Sequence, residues 1–96
     1  MAENSIIELL LAQRVKIRAQ GVRRMTLFGP EARGEGKPGS EVHLLMELEE
    51  PVSFEHFLEV REYLVELLKR PVELVMEKLD HPLVWEYVKE DAVRIL

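Results

Sequence analysis

Residues 41 to 49, Glu-Val-His-Leu-Leu-Met-Glu-Leu-Glu, alternate between apolar and polar side chains with one exception. Val42, Leu44, Met46 and Leu48 fall on one side. Glu41, His43, Leu45, Glu47 and Glu49 fall on the other. Successive side chains of an extended chain point to opposite faces, so this stretch predicts a half-buried strand with one core face and one largely polar face. The loop before it, Gly34-Glu-Gly-Lys-Pro-Gly39, is turn-forming by composition.

The flanking segments supply elements to surround that strand. Ser5 and Glu8 have capping-box spacing, and Ile6, Leu9, Leu10 and Ile17 follow on one helical face. A helix over 5–20 is expected, ended by Gly21 in a left-handed conformation. Val22 to Phe28 is short, with β-branched and aromatic residues, and reads as a strand over 22–28. Pro30 suits the first position of a short helix over 30–33. Ser53 is a good N-cap for a helix over 54–69, with Phe54, Phe57, Leu58, Leu64, Val65 and Leu68 as its apolar stripe. Pro71 stops that helix, and 72–76 reads as a strand. Asp80 can cap a last helix over 81–90, with Pro82 in its first turn and Leu83, Val84, Tyr87 and Val88 as its apolar face. Residues 92–96 read as an edge strand. This order implies an α/β (α+β) sandwich: a small mixed β-sheet with helices packed on it.

Ninety-six residues support one domain, 1–96, with a single core. With no cysteine, neither disulfides nor thiolate metal sites are available. No apolar run approaches the roughly 20 residues that span a bilayer, and Met-Ala-Glu-Asn-Ser lacks the character of a signal peptide. A cytoplasmic protein with no membrane partner is the expectation. The net charge of -5 argues against nucleic acid as the main partner, because phosphate binding needs a basic patch. A local basic cluster does exist at Arg14, Lys16, Arg18, Arg23, Arg24 and Arg33; it suits a single nucleotide, an acidic protein or plain solvation. The abundance of Glu, Arg and Val hints at a heat-adapted source.

Residues 27 to 46 carry a more specific signal: Leu27-Phe28-Gly29, then Ala32-Arg33-Gly34, then Ser40 and Leu44-Leu45. This string resembles the signature of the minimal nucleotidyltransferases, the MNT family of the DNA polymerase beta-like superfamily. That signature runs strand, Gly-Ser, a helical turn with Ala-Arg-Gly, a loop, Ser-Asp-x-Asp and a second strand. The resemblance extends over residues 22 to 96. It implies a nucleotide-binding loop at Gly29, Pro30, Arg33, Gly34 and Ser40. It also implies three catalytic and metal-ligating positions at Glu41, His43 and Glu73, and a cofactor pair of ATP and Mg²⁺.

The chemistry such a site needs is to position phosphates and neutralise charge, with two metal ions about 4 Å apart. Magnesium prefers hard oxygen ligands. All three acid positions depart from aspartate. Glu41 and Glu73 keep the charge but move the carboxylate by ~1.5 Å, one carbon–carbon bond. His43 replaces an oxygen ligand by a nitrogen that suits a transition metal better. Pro30 stands where the family has serine, so a hydroxyl and a backbone N–H are both lost. Losing one preorganised donor typically costs around 3 kcal/mol of transition-state stabilisation.

Bland readings stand beside these. Glu-x-His on a strand is commonly a solvated face, and Arg33 can equally hold its own loop. His56 and His81 read as surface residues without partners. Trp85 and Tyr87 suit core packing or an interface, and Glu47, Glu49 and Glu50 read as a solvent-facing acidic run. Three functions follow. The first is a degenerate, weak or inactive nucleotidyltransferase acting as the antitoxin-like binding partner of a HEPN-type protein, a role carried by family analogy. The second is an active enzyme moving AMP from ATP onto a protein or small-molecule acceptor. The third is a nucleotide sensor that binds ATP or AMP through Gly29, Arg33 and Gly34 without turnover. Homo-oligomerisation would add core to so short a chain.

Overall fold

A computed structural model describes residues 5–76 and 91–96. The expected helix over 81–90 lies outside them. In chain order the elements are α1 (Ser5–Ala12), α2 (Arg14–Ala19), β1 (Val22–Phe28), β2 (Val42–Leu48), α3 (Phe54–Leu68), β3 (Val72–Met76) and β4 (Val93–Arg94). The strands form one mixed sheet in the order β3-β2-β1-β4. β1 is antiparallel to β2 and β4, while β2 and β3 run parallel. A parallel pair needs a crossover, and α3 provides it.

All three described helices contribute to the same core. Ile6 and Leu10 of α1, Ile17 of α2, and Val60, Leu64 and Leu68 of α3 join Val22, Met25 and Leu27 of β1 and Val42, Leu44, Met46 and Leu48 of β2 in one buried cluster. The alternation in 41–49 therefore reports the real division of faces. The opposite sheet face carries Phe28, Thr26, His43, Leu45, Glu73 and Val75, with Phe28 and Leu45 buried against Val75.

Four expectations are corrected. The helix over 5–20 is broken at Gln13, which makes a turn between α1 and α2. Residues 30–33 form no helix: Ala32, Arg33 and Gly34 donate to carbonyls three residues back, so the segment is a run of tight turns. The apolar stripe of α3 is rotated. Phe54 is 75% and Leu58 38% exposed, and Val60 takes the core position instead. A helix turns about 100° per residue, so Leu58 lies opposite Val60.

Finally, His56 is not a free surface residue. Its ring makes a short hydrogen bond with the Gln20 carbonyl, tying the start of α3 to the end of α2. Gly21 faces that ring so closely that a Cβ there would stand 2.6 Å from it, and its φ of +92° is itself left-handed. Ser53 caps α3 by accepting from the His56 N–H at 3.0 Å.

A register shift between Val22 and Arg24 marks a bulge in β1. With strict alternation, Val22 facing the core would drag Arg24 in after it. The extra residue instead leaves Arg23 and Arg24 exposed and returns Met25 and Leu27 to the core. Both arginines approach Glu47, at 3.7 and 3.6 Å. Glu47 is thus half-buried and paired rather than part of a free acidic run.

Candidate functional site

The site lies at the end of β1, in the loop of residues 29–40 and along the polar face of β2. Pairing registers place Phe28, His43 and Glu73 in one row across β1, β2 and β3. Glu41 stands two residues before His43 on the same side, with its Oε1 3.6 Å from His43 Nε2. The His43 ring leans on Phe28, centroids 5.6 Å apart. Its Nδ1 is buried without a hydrogen-bond partner. Gly29 explains that burial: its φ is +82°, and a Cβ there would come within 3.3 Å of Nδ1. Only Nε2 is available to a ligand, and it faces Glu41.

The loop is held from within. Glu31 is only 5% exposed. Arg70, just beyond the end of α3, reaches it at 2.6 Å. The same guanidinium donates to Ser40 Oγ at 2.8 Å and, through Nε, to the Ser40 carbonyl at 2.9 Å. Ser40 Oγ also accepts from the Lys37 N–H at 3.1 Å and donates to the Lys37 carbonyl at 2.8 Å. Gly36 packs over the buried carboxylate, where a Cβ would fall 1.8 Å from Glu31 Oε1.

Arg33 is engaged as well. It donates to Glu35 at 3.0 Å and to Asp91 at 2.8 Å. The hydrogen bonds it donates to Glu35 and then Asp91 raise its pKa further, so it is a fixed cation. These bonds hold the loop and join it to Asp91. Pro30 is exposed at the first turn, and Gly34 adopts a positive φ of +78° in open space.

The structure brings Glu41 and His43 into contact and sets Glu73 beside His43. It does not gather a metal set: among the described residues no three His, Asp or Glu side chains converge to hold an ion. Paired magnesium ions, which the resemblance implies, would supply charge neutralisation at the phosphates. The residues here do not fit that pair. A carboxylate and an imidazole nitrogen are the donors in contact, and the second ring nitrogen is turned into the protein. Sequence reasoning missed Glu31, Gly36 and Arg70. They lie 39 positions apart at their extremes, and no periodic or motif signal links a loop acid to an arginine before a proline.

The nucleotidyltransferase domain family matches residues 9–95. The protein adenylyltransferase MntA of Thermococcus cleftensis is 41% identical over 73 residues, covering 75% of this chain and 74% of that protein. A solved structure provisionally assigned as a minimal nucleotidyltransferase superposes with a TM-score of 0.79 at 27% identity, over 97% of this chain and 95% of the other. The tri-AMPylated Shewanella oneidensis HEPN toxin in complex with MNT antitoxin contains a chain that matches with a TM-score of 0.65 at 14% identity, over 93% and 71%; that likeness is one of fold alone. The chain belongs to the nucleotidyltransferase domain family and, within it, to the minimal nucleotidyltransferases. No described helix is long and apolar enough to cross a membrane.

Proposed function

We propose that this chain keeps the shell of a minimal nucleotidyltransferase, has weak or no transferase activity, and acts as the antitoxin-like binding partner of a HEPN-type protein. One observation carries the loss of activity. The polar groups that the family's loop offers to a nucleotide are here spent on the protein itself: Ser40 on Arg70 and Lys37, Arg33 on Glu35 and Asp91. Pro30 adds no donor at the first turn. The partner role is drawn from the HEPN complex that shares the fold.

The test is transfer of labelled AMP from ATP, with Mg²⁺ or Mn²⁺, onto a co-purified HEPN partner. Transfer near background is expected. Robust transfer by the wild-type chain overturns the proposal. In the triple reversion Pro30→Ser, Glu41→Asp, His43→Asp, transfer should rise by about a hundredfold or more, since both donors and geometry are restored.

A second reading has one observation in its favour: the relative that is 41% identical is a protein adenylyltransferase. On that reading Glu41, His43 and Glu73 work with a softer metal on a protein or small-molecule acceptor. Calorimetric titration with Zn²⁺ or Mn²⁺ decides it, because absence of binding, or binding unaffected by Glu41→Ala, ends it. A nucleotide-sensing role through Gly29, Arg33 and Gly34 would appear as a thermal shift on adding ATP without turnover.

A further inference from the structure

Glu41 is bracketed by two contacts from one place. The carbonyl before it, that of Ser40, accepts from Arg70 Nε at 2.9 Å. The N–H after it, that of Val42, donates to the Pro71 carbonyl at 2.9 Å. Arg70 and Pro71 lie between α3 and β3, so a single junction sets the backbone on both sides of Glu41. The junction is itself fixed. Lys69 closes α3 in a left-handed conformation, and its N–H returns to the Val65 carbonyl at 2.8 Å. Val72 then pairs with Val42 as β3 begins.

Arg70 also holds the rest of the loop. Its Nη2 meets Glu31 Oε1 at 2.6 Å and Ser40 Oγ at 2.8 Å. Among the described residues, the backbone hydrogen bonds of residues 29–40 stay within the loop and do not tie it to the sheet. The other side-chain tie, Arg33 to Asp91, joins groups that are 40% and 31% exposed, and exposed pairs hold little. The Arg70 and Glu31 side chains are 14% and 6% exposed, so losing either strands a buried charge. Control of the loop therefore rests with Arg70. A guanidinium suits the task because its fork reaches the Ser40 carbonyl, the Ser40 hydroxyl and Glu31 together, whereas a lysine ammonium is a single point of charge.

We infer that Arg70 is a positioning residue: by clamping Glu31 and Ser40 to the α3–β3 junction, it holds the loop in shape and sets Glu41 against Nε2 of His43. The inference rests on the reading of Glu41 and His43 as the candidate site. The His43 ring is already placed by Phe28 and Gly29, so the geometry of the pair depends on where Glu41 is put.

Amide exchange followed residue by residue in the full chain, together with the NMR signals of the His43 ring, tests this. Three variants disturb the clamp in different ways. Arg70→Lys keeps the charge and loses the fork. Gly36→Ala pushes the Glu31 carboxylate aside and leaves every charge in place, since a Cβ there would fall 1.8 Å from Oε1. Arg70→Ala with Glu31→Leu removes the clamp and the buried charge together, which keeps the fold stable enough to study. In each, the N–H groups of Gly34, Glu35 and Ser40, all bonded inside the loop, should exchange about tenfold or more faster relative to those of Met25 and Leu44 in the sheet. The His43 ring signals should move toward those of a Glu41→Ala control. Loop amides that accelerate no more than the sheet amides overturn the inference, because the clamp would then serve overall stability alone. An opened loop with unchanged His43 signals overturns it too, because something else would then position Glu41. Neither readout uses ATP, a metal or a HEPN protein, so a failure here is distinct from a failure of the proposed function, which the transfer assay reads.

Discussion

Glu31 and Arg70 show how much can rest on one pair. A carboxylate 5% exposed has little water to fall back on, and the Arg70 guanidinium is its partner while also holding both polar groups of Ser40 that face it. Removing one member of a buried pair leaves the other stranded, at about 3–5 kcal/mol. Arg70→Ala should therefore lower unfolding free energy by about 3 kcal/mol in urea titration. Adding Glu31→Leu to it should recover part of that loss, because no buried charge then remains. Lys69 is the opposite case. It caps α3 with φ at +58°, a left-handed conformation in which a side chain is strained. Lys69→Gly is expected to raise stability by roughly 0.5–1 kcal/mol, read as a higher melting temperature.

At the scale of elements, α3 matters most, since it both covers the sheet and makes the parallel crossover between β2 and β3. Its energetic face is the row Val60, Leu64 and Leu68. Leu64→Ala should cost about 2–5 kcal/mol, because a fully buried side chain leaves a cavity. Leu58→Ala, on the opposite side, should cost less than about 0.5 kcal/mol when measured at low protein concentration. Equal losses would mean that the helix is rotated from the position described. The turn at residues 30–33 belongs to this scale too. A family-like helical start offers free N–H groups to a phosphate. Here the N–H groups of Ala32, Arg33, Gly34 and Glu35 are already bonded within the turn.

Over the whole molecule, the fold is that of the family while three positions of its signature differ. The fold and the family are intact, and the triple reversion should leave stability within about 1 kcal/mol of wild type, because Pro30, Glu41 and His43 all lie outside the main core. A chemical denaturation curve checks this beside the transfer assay. The fold also divides the basic cluster. Arg23 and Arg24 turn to Glu47 and Arg33 to Glu35 and Asp91, leaving the α2 cations on another surface. What looks like one cluster in the chain is three local arrangements in space.

Fold class and family were legible because both rest on local signals: the alternation of 41–49, the glycine and proline punctuation, and the spacing from Gly29 to His43. The departures at Pro30, Glu41 and His43 were equally plain, since they are single-residue identities. Glu73 could be placed beside His43 only by resemblance; parallel pairing of β2 and β3 supplies the register that sets them side by side. By contrast, the rotation of α3 was misjudged because Phe54 and Val60 are both apolar, and hydrophobicity alone does not say which one meets the sheet. The bulge at Arg23, the Glu31–Arg70–Ser40 network, the reach of Arg33 to Asp91 and the contact of His56 with Gln20 were decided by tertiary structure. Each joins residues with no fixed sequence spacing, and their distances follow only once the sheet register and helix packing are set. The sequence alone determined where this chain departs from the family signature, at Pro30, Glu41 and His43; its folding decided which partners the polar groups of the loop take.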